Sequence, residues 1–571
     1  MRMARVGVLV DQEAKRRCHR YGINVFESYV GEVLGHAGIP FTWLNTVEEA
    51  AGSGVDILIA AVVGDGRETA EAMLAFAERG GTVISYAGLN CMANALGCKE
   101  QPHVAVGYAQ PERPPAAAPL RCVRSIPWKA GNGAASFAVQ QSGQLRKDRP
   151  DGDPAGPLLM QFRVGRGRID RWSVNIPLTI VTFQQGTGPV LGDGVPADDG
   201  TGDVDEGILK ADDRVALDWA LDRARTETGA PYFAYPYADW WREQLIGHLL
   251  ATATSLGLTL PFLGYWPDGV TCVATISHDS DLNIDESAET TLNTLAECGI
   301  RSTWCMLEPG YSPPIYDKIK KAGHELAFHY NALDAQGGRW DEGEFRRQYD
   351  WLKAAAGVAG VTSNKNHYTR FEGWGELFAW CERHGVQADQ TRGPSKRGNV
   401  GFLFGTCHPY FPIAWFDEQN RIYDVLEIGF LTQDLDLPQW SDTSVIVPFL
   451  ERVRQVEGVA HFLFHQVHIH RNPNVNRAIR QVVEEARRRG FAFWTSAEIN
   501  DWERARRRVV ITGVDEGGAV RAQGTDAADV VVWIPLPEHR SQDGAERKFG
   551  VPCRKVVLNA EKRGVELEGS R

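Results

Sequence analysis

Residues 271–281, TCVATISHDSD, decide how the rest of the chain reads. A β-branched, apolar run ends there in two carboxylates and an imidazole. Side chains of a strand alternate faces, so Asp279 and Asp281 point the same way, roughly 7 Å apart, while His278 and Ser280 point the other way. Two carboxylates on one face at the C-terminal end of a buried strand are costly unless a metal, a reacting substrate or both engage them. The alternative is a strand running into an Asx-rich turn.

Outward from this stretch, strands and helices alternate. Helices are expected over 286–298, 314–322, 342–356 and 374–385, with strands over 301–307, 324–329, 361–367 and 386–391. Further strands are expected at 410–415, 424–430, 460–465 and 491–495. The pattern predicts a distorted (β/α) barrel of about seven strands over 266–505, with its site at the C-terminal strand ends. The polar residues fall at those ends. His329 closes HELAFH, His367 closes VTSNKNH, Asp389 lies in QADQT and His465 closes AHFLFH. Ten of the fifteen histidines lie between 278 and 470, which makes chance placement of the strand-end histidines a weaker explanation.

These residues resemble the polysaccharide deacetylase (NodB-homology, carbohydrate esterase family 4) superfamily over about 266–504. SHDSD resembles that family's first motif, and the resemblance implies Asp279 as general base and Asp281 as metal ligand. GHELAFH resembles the second motif through His329, implied as a second ligand. The family's next histidine, four residues on, is replaced here by Leu333. Branches with this first motif carry a later R-Q-H-Y-type segment, and KNHY at 365–368 makes His367 the candidate third ligand, ahead of Asp334 and Asn331. HFLFHQVH resembles the last motif and implies His465 as general acid. Lys365 is a candidate orienter of Asp279, and Tyr330 or a backbone N–H is a candidate oxyanion donor. A His/His/Asp set suits a divalent ion, with Zn2+ expected, whose open positions take water and an acyl oxygen. The expected substrate is an N-acetylated carbohydrate, hydrolysed at its amide C–N bond. A metal-assisted hydrolase of another amide or cyclic ureide, and a non-catalytic carbohydrate-binding protein, are the alternatives.

Upstream, strands at 5–10, 57–63 and 81–86 alternate with helices at 28–37 and 68–79, predicting a doubly wound, flavodoxin-like α/β domain. The GG turn before TVISYAG and the element order resemble the class I glutamine-amidotransferase-like fold. That fold places its nucleophilic cysteine at the end of a strand like 81–86. Here Tyr86, Ala87 and Gly88 stand there and Cys91 lies farther on, so the resemblance implies the fold without the amidotransferase chemistry. A hairpin at 158–174 belongs to a β-rich extension that completes a domain over 1–190. Residues 191–265 read as an acidic Gly/Pro/Asp-rich linker and a connecting helix, and 506–571 as a small β-sandwich cap.

A formal net charge of −12 argues against a nucleic-acid partner. The ten scattered cysteines form no CxxC pair and fit a reducing compartment. The N-terminus runs into a strand without an apolar signal region, and residues 245–266 are interrupted by polar residues and Pro261, so a cytoplasmic protein without a membrane span is expected. The sequence leaves the oligomeric state open.

Overall fold

The computed structural model describes residues 2–112, 118–205, 207–515, 518–524, 527–540 and 545–558. The N-terminal half is built on a nine-stranded sheet. Thr42–Leu44, Val6–Val10, Ile57–Val62 and Thr82–Tyr86 run parallel, and Gly167–Trp172 joins them parallel to Thr82–Tyr86. The expected hairpin forms, with Val164 paired to Gly167. It extends the same sheet through antiparallel strands Pro154–Val164, Gln140–Lys147, Val104–Gln110 and Leu120–Ser125. Val6, Val8 and Val10 pack into one core, whereas Leu9 packs with Met73 and Phe76 on the other face. Burial on both faces explains why the strand is apolar without alternation. Cys91 lies in the short turn Asn90–Met92, beyond the strand end, and burial and then Asp65 push its thiol up to about 12, which suits an inert thiol.

The C-terminal half is built on a curled parallel sheet. Its order is Leu426–Glu427, Ala388–Asp389, Ser363–Asn364, Glu325–Phe328, Thr303–Met306, Cys272–Asp279, Val459–Leu463, and Phe491–Phe493 also pairs with Cys272–Asp279. The two edges meet past Glu427: Leu431 N–H donates to the His461 carbonyl at 2.9 Å and Leu463 N–H to the Thr432 carbonyl at 3.0 Å. The strand expected at 410–415 makes only isolated bridges, Tyr410 to Glu427 and Ile413 to Ile422. Pro409 and Pro412 account for this, since neither can donate to a ladder.

Two expectations of domain layout change. Residues 186–213 are not a free connector. Val190 bridges Gly373, and Asp212 accepts from Ser395 Oγ at 2.8 Å and Asn399 Nδ2 at 2.7 Å. Lys396 pairs with Asp213 at 2.6 Å, all five polar side chains being buried. The tail is also not a separate cap. Val530–Pro535, Val551–Leu558 and Glu546–Lys548 form a four-stranded sheet with Phe262–Pro267 from ahead of the barrel, covered by the hairpin Val510–Val514 and Val520–Gln523. Parts of the expected turns at 515–518 and 535–544, and the cap's residues 559–571, lie outside the described residues.

The helix Tyr237–Ser255 is buried along most of its length between the two halves. Among the described residues, no helix is long and apolar enough to cross a membrane. Beside it, Arg507 pairs with Glu32 of the N-terminal half at 2.6 Å and with Glu503 at 2.5 Å, and Arg506 shares Glu503 at 2.7 Å. Removing one partner of a buried ionic group strands the others. Arg507→Ala is expected to lower the unfolding free energy by about 3–5 kcal/mol in denaturant titration.

Candidate metal centre

The strand ends deliver five side chains to one place. Asp279 is the last residue of Cys272–Asp279, and Asp281 follows where the ladder has ended. His329 follows Glu325–Phe328, and His465 comes just after Val459–Leu463. His367 opens the short turn His367–Thr369, in which Tyr368 and Thr369 hold φ of 54° and 51°. Left-handed backbone at non-glycine residues costs about 1–3 kcal/mol and persists only where the surroundings over-determine it.

Three ligand atoms converge. His329 Nε2 lies 3.3 Å from Asp281 Oδ1, His367 Nδ1 lies 3.5 Å from the same oxygen, and the two imidazole nitrogens are 3.3 Å apart. A tetrahedral ion with ligands at about 2.0–2.1 Å has ligand-to-ligand edges of about 3.3–3.4 Å. His329 Nδ1 lies 2.7 Å from the Lys365 carbonyl, so Nδ1 carries the hydrogen and the Nε2 lone pair faces the cluster. Asp281 Oδ1 and His367 Nε2 are buried without a hydrogen-bond partner. A carboxylate oxygen and two imidazole nitrogens turned on one another repel, and a cation among them removes the conflict. The residues therefore fit a divalent ion. Asp334 and Asn331 do not compete with His367. The Asp334 side chain is 79% exposed near Arg370, and Asn331 is held by Gln336 and the Leu333 N–H.

Asp279 and His465 flank this cluster. Asp279 Oδ2 lies 3.7 Å from His329 Nε2, and its Oδ1 lies 3.3 Å from Lys365 Nζ. Lys365 is fully buried and also donates to Ser277 Oγ at 2.5 Å. Burial works to raise the Asp279 carboxyl, but Lys365, then His329 and His465, outweigh it and hold the group below the usual carboxylate range. Asp281 is held well below that range against the same burial, by His465 and then by the neighbouring His329 and His367. His465 Nε2 lies 3.5 Å from Asp281 Oδ2, and its Nδ1 lies 2.5 Å from Asp434 Oδ2. Burial favours the neutral ring, but Asp434 and then Asp281 raise it to about 10.

Asp434 escaped the sequence reading. It lies past the strand expected at 424–430, and nothing in TQDLDL marks its partner. Asp434, His465 and His468 also lie close enough together to be weighed as ligands. The 2.5 Å contact of Asp434 to His465 is a hydrogen-bond distance, too short for two ligands of one ion. Other tempting residues serve the framework. His278 Nδ1 is 2.9 Å from the Phe464 carbonyl, His470 bonds Thr290, and Asp389 is buried against Asn364 and Thr391. The Tyr330 hydroxyl donates to the Arg339 and Asp341 carbonyls, so it cannot serve as an oxyanion donor.

A cavity of about 390 Å³ opens over the cluster. Tyr368 and Trp440 give it aromatic surface, and the acidic segment contributes Asp203, Asp205 and Lys210 to its wall. Lys210 pairs with Asp205 and lies 5.6 Å from the Tyr368 ring centre.

No family model and no curated protein matches the sequence. Among solved structures, a presumed polysaccharide deacetylase from Mycobacterium smegmatis aligns at 19% identity over 43% of this chain and 93% of its own, with a TM-score of 0.33. PuuE allantoinase aligns at 13% identity over 42% of this chain and 91% of its own, with a TM-score of 0.31. The Xyl-CE4 domain of a multidomain xylanase from the hindgut metagenome of Trinervitermes trinervoides aligns at 13% identity over 40% and 90%, with a TM-score of 0.25. Scores of this size leave the reading of the site to its geometry.

Proposed function

We propose that the chain is a metal-dependent hydrolase that removes an N-acetyl group from a carbohydrate. The observation that carries this is the triangle of Asp281 Oδ1, His329 Nε2 and His367 Nδ1, with sides of 3.3 to 3.5 Å, set between an acid and a base. In this reading those three residues hold a divalent ion, Zn2+ being the expected one. Such an ion polarises an acyl oxygen and lowers the pKa of water. Asp279, ionised and steadied by Lys365, takes a proton from the attacking water. His465 starts as the imidazolium that Asp434 favours and gives its Nε2 proton to the amide nitrogen as the C–N bond breaks. Acetate and an amino sugar leave. Tyr368 and Trp440 favour a sugar over a linear amide, because aromatic faces pack against the C–H faces of a sugar ring.

Acetate release from a panel of N-acetylated mono- and oligosaccharides, with and without added divalent metal, tests the reading. Metal-dependent acetate from at least one sugar supports it, and none from any metal-loaded sample overturns it. Lys365→Met is expected to move the acidic limb of the pH–rate profile to higher pH. Lys365 lowers Asp279, the base acts only when ionised, and removing the ammonium raises the pH at which that happens.

A further inference from the structure

A second cavity, of about 360 Å³, lies far from the strand ends, between the nine-stranded sheet, the helix Tyr237–Ser255 and the tail. Its floor is one face of the sheet. Register places Trp172, Leu159 and Ser142 in one cross-strand row, and Asp170, Gln161 and Gln140 in the next. His248 crosses above them, with Nε2 3.0 Å from Asp170 and Nδ1 accepting from Trp172 Nε1 at 3.2 Å. Asp170 is further held by an ion pair with Arg168 at 2.7 Å. Glu243 is 8% exposed, lines the cavity, and has no hydrogen bond or ion pair among the described residues.

A buried carboxyl without a partner costs several times what a satisfied one does. Burial pushes this one up to about 8, against the pull of Arg242. The described lining holds a second carboxyl, Glu112, and no lysine or arginine. The rest of the polar wall is amides and a hydroxyl, which both donate and accept, beside the indole of Trp172. An ammonium brought against Glu243 would offset the burial that raises it and favour its ionised form, and the amide wall with an aromatic face suits a polyhydroxylated ring.

We propose that this cavity is a binding site for a small amino sugar, with Glu243 receiving the ammonium group. The site stands on the chemistry of its own wall and is separate from the barrel site. It would make the protein responsive to a soluble amine whether or not the barrel releases one.

Calorimetric titration of the full chain with glucosamine, and with glucose as the uncharged control, tests this. Glucosamine is expected to bind wild type and Asp281→Ala alike, and glucose to bind about tenfold or more weaker, as the loss of a charge-assisted hydrogen bond implies. Glu243→Gln is expected to lose about tenfold or more in glucosamine affinity while keeping its unfolding temperature. If that variant fails to fold, the double variant Gln140→Ala/Ser142→Ala replaces it, with an expected loss of about fivefold for two neutral hydrogen bonds. The proposal is overturned if glucosamine does not bind wild type, if Asp281→Ala abolishes binding, or if the cavity variants bind it as wild type does.

Discussion

Asp281→Ala is expected to leave the purified protein without its divalent metal and to lower acetate release by a factor of about 10³ or more. Asp281 Oδ1 is the corner common to both imidazole contacts, at 3.3 and 3.5 Å. Its loss leaves two neutral nitrogens, and a metal site reduced to two neutral ligands has lost its one charged ligand. His329→Ala should act in the same direction. Metal analysis by mass spectrometry reads the first effect directly, before any substrate is known. Full metal content in both variants would remove Asp281 and His329 from the centre.

Asp279→Asn is expected to separate the two functions of the pair. The amide cannot take a proton from water, so turnover should fall by about 10²–10⁴, the range general-base catalysis contributes. Metal content should stay near that of wild type, because Asp279 stands outside the triangle, 3.7 Å from His329 Nε2. The variant also leaves the buried Lys365 facing a neutral group 3.3 Å away in place of a carboxylate. A modest loss of stability is therefore expected alongside the loss of rate. An Asp279→Asn protein that turns over like wild type would assign the proton to another group.

The strands were legible because parallel strands buried on both faces read as apolar runs, as in Ile57–Val62 and Cys272–Asp279. Their lengths were less so. Ser363–Asn364, Ala388–Asp389 and Leu426–Glu427 keep only two ladder residues each where longer runs were expected, since curling the sheet breaks pairing that periodicity cannot see. His329 and His465 could be picked out because each closes an apolar run, and His367 by the KNHY segment it stands in. Asp434 could not, because its importance lies in a contact with His465 across 31 residues. The same holds for the acidic segment. Its Gly, Pro and Asp content announces a loop correctly. What fixes it is the bonding of Asp212 and Asp213 to residues more than 180 positions away.

The strand Phe262–Pro267 pairs with Val530–Pro535, so the stretch leading into the barrel is held by the stretch that follows it. With residues 186–213 forming a wall of the cavity, the boundaries that composition suggests cut through bonded structure. An excised 266–505 fragment would carry all five candidate site residues and still expose one half-paired sheet and an unwalled cavity. The piece to express thus keeps the N-terminal half that carries Glu32, the partner of Arg507, and runs through Leu558. For protein engineering, the barrel is a part of this molecule that cannot be lifted out of it.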